Sequence, residues 1–208
     1  MEREGVGMKV LVRIVVSVLM IMLLSNGPCY ALSVAGQNTA RGVDNASQGK
    51  FKEAKQEFEQ ALKVDPSFGP ARRALQIIED VASQKTQGQT AVNYFKGIAH
   101  AMKGQHEQAI PYYSKAIETD PNFANAYFSR GIAYAQGRGQ FDQAISDYDK
   151  AIEINPKFAK AILSRGAAYY FEGEYDKAWA DVHKAQSMGL QVHPAFLQAL
   201  RQASGRQQ

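Results

Sequence analysis

Between Thr90 and Val192 a frame of small and large residues returns every 34 or 35 positions, and few architectures accommodate such a frame. Three copies align on Ala109, Ala144 and Ala178. Ahead of each alanine lies a helical stretch with an internal glycine, at Gly97, Gly131 and Gly166, and then a turn glycine, at Gly104, Gly139 and Gly173. Two residues beyond the turn glycine comes a ring: His106, Phe141 or Tyr175. Four residues beyond the alanine comes a large residue (Tyr113, Tyr148, Val182), and three further a second alanine (Ala116, Ala151, Ala185). Pro121 and Pro156 close the first two copies.

A period of this length holding two helical patterns predicts an array of helix-turn-helix units. The small residues let two helix backbones approach closely, and the large ones fill the space beside them. The turn glycine ends the first helix in a left-handed conformation, and the proline stops the second. The frame of Gly131, Tyr134, Gly139, Phe141, Ala144, Tyr148, Ala151 and Pro156, with its counterparts in the other copies, resembles the tetratricopeptide repeat family. Three departures stand out. Gln136-Gly137-Arg138-Gly139 lengthens one turn by a residue, His106 replaces a tyrosine, and Leu190 stands where a proline is expected. The expected fold is all-α, a short right-handed superhelix of hairpins with repeats at 90–123, 124–158 and 159–192.

The flanks extend this plan. Residues 1–31 read as a secretory signal peptide. Lys9 and Arg13 precede an uncharged, almost wholly apolar run from Ile14 to Leu24, shorter than the roughly 17–25 residues of a membrane span. Cleavage is expected after Ala31, with Ala35 as the second choice. Cys29, the one cysteine, would leave with the leader, and lipid anchoring there is not expected because Asn26-Gly27-Pro28 precedes it. The expected compartment is therefore outside the cytoplasm, periplasmic or secreted, with any membrane link confined to the leader or indirect. Residues 36–68 read as a degenerate N-terminal hairpin. Its second helix is well formed, and its first is polar at Asn38, Arg41 and Asn45, as a cap with one face in water would be. Residues 69–89 form a bridging helix and hinge, with an apolar stripe of Ala71, Ala74, Leu75, Ile78, Val81 and Ala82 but no second helix. Pro194 opens a capping helix over 193–203, and 204–208 is a polar tail.

No constellation for catalysis appears, and neither a cofactor nor a metal is expected. His100 and His106 lack a carboxylate at ligand spacing, and the glycines are explained by the repeat. Asp147, Asp149 and Asp181 read as a solvated face, and Arg130 and Arg165 as packed stems with solvated heads. The net charge of +4 is interspersed rather than gathered in a stripe, which argues against a nucleic-acid partner.

Function is expected on the first helices, which the resemblance implies line the concave side. Tyr94, Ile98 and Met102 lie on one face of the first, Asn125, Phe128 and Ile132 on the next, and Lys160, Leu163, Tyr170 and Phe171 on the third. Family members that grip a partner's C-terminal carboxylate carry Lys, Arg and Asn at these places. Here Asn125 and Lys160 alone are polar, so that clamp is not expected. The face predicts a protein or peptide partner with an apolar or aromatic segment. Two other readings remain: a self-associating structural protein, forming homo-oligomers through its array ends, and a carrier of a small apolar ligand. The bridging or C-terminal helix could also fill the groove itself.

Overall fold

The computed structural model describes residues 33–206. The leader, Cys29 and the cut after Ala31 lie outside the described residues. Ten helices are present among those residues. They are α1 (Val34–Ser47), α2 (Phe51–Val64), α3 (Gly69–Ala82), α4 (Gly88–Met102), α5 (His106–Thr119), α6 (Ala124–Arg138), α7 (Phe141–Ile154), α8 (Ala159–Phe171), α9 (Tyr175–Ser187) and α10 (Pro194–Ser204). From α4 to α9 each helix packs on its successor, giving three hairpins in series. None of the described helices is long and apolar enough to cross a membrane.

Three of the four hairpins close on a glycine-to-ring contact. A Cβ built on Gly97 would lie 2.5 Å from the Tyr113 ring, one on Gly131 2.7 Å from Tyr148, and one on Gly42 2.4 Å from Phe58. All three rings are fully buried. The third hairpin substitutes Val182 for the ring, and there Gly166 meets Asp181 Cβ at 3.0 Å. The extra residue before α7 is taken up at the end of α6, where Gly139 adopts φ 64° and its N–H bonds the Tyr134 carbonyl. An L side chain resists that conformation.

The N-terminal third departs from a simple stack. The polar first helix turns only one face to water, at Val34, Gln37, Arg41 and Asp44; the rest is covered, because α1 lies between α2 and α4, and Asn38 and Thr39 are buried. Its small residues Ala35, Gly36, Gly42 and Ala46 make this two-sided packing sterically open. The Thr39 hydroxyl donates to the Ala35 carbonyl at 2.8 Å, and the Asn38 Oδ1 accepts from Arg41. Helix α3 does not separate the hairpin from the array. It packs mainly on α2 and touches α1 and α4 along one flank, burying Ala71, Ala74, Ile77 and Ile78. The core continues from Phe58 to Phe95 of α4, whose rings stack at 6.0 Å. Two residues beyond α3, Gln84 takes φ 60° and is the one described non-glycine residue with a positive φ.

Two of the three carboxylates read as a solvated face, Asp147 and Asp181, are buried, while Asp149 is exposed. Arg130 donates from Nε and Nη2 to both oxygens of Asp147, at 2.8 and 2.7 Å, and from Nη1 to Ser114 at 2.9 Å. Arg165 repeats the pattern on Asp181, at 2.8 and 2.6 Å, and reaches Asp149 at 2.6 Å. Asp147 and Asp181 are buried. Each arginine thus clasps the second helix of its own hairpin and that of the hairpin before. Hydrogen bonding to Asp181 and Asp147 raises both guanidinium groups above their ordinary range. Burial pushes the Asp147 carboxyl upward, and the paired bonds from Arg130 pull against it. With both heads engaged internally, neither arginine offers an acidic-ligand site.

At the other end α10 covers the last hairpin, with Phe196 and Leu200 buried beside Trp179. The Trp179 Nε1–H donates to Ser204 Oγ at 3.1 Å, a packing role for the single tryptophan.

His106 occupies the position held by Phe141 and Tyr175 in the later repeats. Its Nδ1 is buried without a hydrogen-bond partner, and its Cβ abuts Gly137 of the lengthened turn. Burial lowers its pKa below the ordinary 6.5. The unfolded chain therefore takes up this proton more readily than the folded one. Stability is full above pH 6.5 and declines as the pH falls below it. Thermal melts of the wild type and His106→Phe at pH 7.5 and 5.5 should show a smaller acid-induced drop in the variant. Equal drops would show that His106 carries none of the pH dependence.

Candidate functional site

The face of the first helices is built on repeat-phased aromatic contacts. Tyr94 of α4 is 9% exposed and packs edge-on against Phe123, ring centroids 5.2 Å apart, and against Tyr113 at 5.8 Å. Its hydroxyl meets Ser129 Oγ of α6 at 3.3 Å. One repeat on, Phe128 takes the same seat, 4.7 Å from Phe158 and 6.0 Å from Tyr148. It brings no hydroxyl, and there the Tyr148 hydroxyl and Ser164 Oγ are buried without partners. Burial raises the Tyr148 phenol far above its ordinary value.

This comparison of two repeats yields a prediction. Phe128→Tyr would place a hydroxyl where Tyr94 has one, within reach of Ser164. It should raise the unfolding free energy by about 0.5–1.5 kcal/mol, as a hydrogen bond satisfying a buried group does. Urea denaturation measures it, and a loss of stability would show that the seats differ.

The ten residues singled out from sequence divide by exposure. Tyr94, Leu163 and Tyr170 are buried. Ile98, Asn125, Phe128, Ile132 and Phe171 are half-buried, while Met102 and Lys160 are exposed. Ile98 and Met102 of α4 share a helix face one turn apart, and Phe128 and Ile132 repeat that spacing on α6. Tyr170 turns instead to the capping helix, edge-on to Phe196 at 5.8 Å, and Phe171 stacks flat on Phe141 of α7 at 4.5 Å. The exposed members of the face are therefore Met102 and Lys160, flanked by the half-buried Ile98, Asn125, Phe128 and Ile132.

Two contributors escaped the sequence reading. Ser129 is polar in a face read as apolar, and its partner Tyr94 lies 35 residues away, so only the repeat phase links them. Arg73 belongs to α3, outside every repeat. Its charge lowers the pKa of the Tyr94 hydroxyl and of Lys160 of α8. Lys160 is open to solvent, yet surrounding protein, helped by Arg73, lowers its ammonium to about 8. Among the described residues no group of three or more His, Cys, Asp or Glu is placed to hold a metal ion.

Serial helical hairpins sealed by repeat-phased packing of a glycine against a large side chain define a helical repeat scaffold. A family model described as TPR repeat matches residues 97–137 and 138–173, and one described as Tetratricopeptide repeat matches 45–68. The chain has the tetratricopeptide-repeat fold. Among solved structures it resembles the first TPR of Spaghetti (RPAP3) bound to the HSP90 peptide SRMEEVD. The two are 26% identical, covering 56% of this chain and 91% of that one, with a TM-score of 0.52. It also resembles the second TPR domain of human RPAP3 in complex with the HSP70 peptide SGPTIEEVD, at 23% identity, 56% and 95% coverage and a TM-score of 0.51. The Sgt2 TPR domain from Aspergillus fumigatus shares the fold at 22% identity, 58% and 80% coverage and a TM-score of 0.52. No curated protein sequence matches the chain.

Proposed function

We propose that this protein is an exported interaction module that binds a peptide segment of an envelope or secreted partner on the face of its first helices. The observation that carries the reading is the open row of Ile98, Met102, Phe128 and Ile132. Met102 is 49% exposed, and few large apolar side chains of the described residues are exposed at all. Apolar and aromatic groups are the usual anchors for a short segment. A related TPR domain is seen with a bound peptide. Export rests on the leader pattern of residues 1–31.

A photo-reactive benzoylphenylalanine at Met102 or Ile132, with one at the exposed Lys115 as control, tests the site in intact cells. Crosslinks to one partner from the first two positions and none from Lys115 are expected. Equal labelling from all three would move binding off this face, and crosslinks to the protein itself would make self-association the better reading. Amino-terminal sequencing of the mature protein should begin at Leu32. An intact Met1 or Met8 terminus would refute export by cleavage.

A further inference from the structure

Two of the few exposed large apolar side chains among the described residues lie together at one pole of the molecule. Val34, the first residue of α1, is 58% exposed, and Val64, the last of α2, is 55% exposed. The two helices form a hairpin across the turn at Gly49, so the start of α1 meets the end of α2. The start of α3 joins them there: Ala35, Ala61, Phe68 and Ala71 form one small buried cluster, with Leu62 against it. Three cations border the valines. Lys63 is exposed in the last turn of α2. Arg72 donates from Nη2 to the Pro66 carbonyl at 2.5 Å, and the Nη1 of Arg73 lies 3.8 Å from where a Cβ on Gly69 would stand. Both guanidinium groups are thus held over the connection from α2 to α3. None of the three cations is in an ion pair among the described residues. The one carboxylate on that connection, Asp65, accepts from the Ser67 N–H and hydroxyl at 2.9 and 2.6 Å.

We propose that this pole is a membrane-contact surface for anionic phospholipid: Val34 and Val64 enter the interface, and Lys63, Arg72 and Arg73 pair with headgroup phosphates. Exposed apolar side chains bordered by cations suit a boundary where hydrocarbon lies beneath negative charge. A bilayer is favoured over an acidic protein by where the chain leads outside the described residues. Residues 25–32, even fully extended, reach about 30 Å at most. A leader whose apolar run ends at Leu24 therefore keeps this pole close to the membrane until it is cut. Cleavage after Ala31 then places an α-amine and Leu32 beside Val34, one more cation and one more apolar side chain. The inference rests on the export reading for this tether alone. It leaves peptide binding independent, because Met102 and Ile132 belong to other helices.

The test is co-sedimentation of the mature protein with sucrose-loaded vesicles, made of phosphatidylcholine alone or with about a quarter phosphatidylglycerol. The protein should pellet with the mixed vesicles and stay in solution with the neutral ones, and about 1 M salt should release it. Lys63→Gln and Arg72→Gln should each weaken partitioning by about fivefold. Val34→Asp/Val64→Asp should abolish it, with helicity and thermal melting intact. Lys184→Gln, which removes an exposed cation of α9, should leave it unchanged. Val64→Trp should gain a blue-shifted emission on addition of mixed vesicles, which the wild type, with Trp179 alone, should not show. Equal losses from Lys63→Gln and Lys184→Gln would show attraction by net charge alone and overturn the assignment of the pole. Binding to soluble polyglutamate but not to mixed vesicles would overturn the lipid in favour of an acidic protein. No pelleting with mixed vesicles would overturn the inference, while the export reading is decided separately by the amino-terminal sequence.

Discussion

Replacing Arg165 by methionine should lower the free energy of unfolding by about 3–5 kcal/mol, the range for removing one member of a buried ion pair. The size of the effect comes from what stays behind. Asp181 has a side chain 6% exposed, and its two oxygens would lose both charge-assisted bonds. A buried carboxylate without a donor must either be desolvated as an anion or take up a proton. Asp149 would also lose a partner, but its side chain is 50% exposed and water replaces the bond. Replacing both members, Arg165→Met/Asp181→Leu, should recover most of the loss, because an apolar pair of similar volume carries no desolvation penalty. Urea denaturation of the two single variants and the double variant gives the coupling energy directly. A loss below about 1 kcal/mol in the single variant would class the pair with surface ion pairs, against the burial described here.

The second large effect is expected at Tyr148. Tyr148→Ala should cost about 3–5 kcal/mol, as removal of a fully buried ring does. Tyr148→Phe should stay within about 1 kcal/mol of the wild type, because the hydroxyl it removes has no partner. Gly131→Ala should cost about 1–3 kcal/mol in the wild type. The added methyl would stand 2.7 Å from the Tyr148 ring and 3.1 Å from the Ala144 carbonyl, and neither a buried ring nor a backbone oxygen yields easily. In the Tyr148→Ala background the ring is gone and only the carbonyl remains close. There Gly131→Ala should cost much less, and helix propensity then favours alanine over glycine by about 1 kcal/mol. Additive effects in this cycle would show that the glycine is not retained for the ring.

The repeat frame was legible because its cause is local. A glycine, a turn glycine and a ring at fixed offsets describe contacts inside one hairpin, and the chain states them three times. The arginine pairs were nearly legible. Arg130 and Asp147 stand at the same phase as Arg165 and Asp181, but a spacing of 16 or 17 residues spans two helices and becomes a contact only once the hairpin is folded. The N-terminal third was not legible, because its packing follows no repeat. Asn38 read as polar on a face in water, and only the insertion of α1 between α2 and α4 buries it. The open row could be listed from sequence, but its separation from Tyr94, Leu163 and Tyr170 could not. Tyr94 is covered because Phe123 and Tyr113 meet it, and Tyr170 because α10 does.

The direct seating of α1 on α4 bears on how the molecule assembles. The main junctions from α4 to α9 join segments adjacent in the chain, so that portion can grow from any hairpin by short-range closure. Joining α1 to α4 instead closes a loop over residues 48–87, against three residues between α1 and α2. By loop length alone that closure is harder by about 2 kcal/mol. The N-terminal block therefore follows rather than leads. It consolidates once α4 is already held by α5, and variants that loosen α1, such as Gly42→Ala, should speed unfolding far more than they slow refolding.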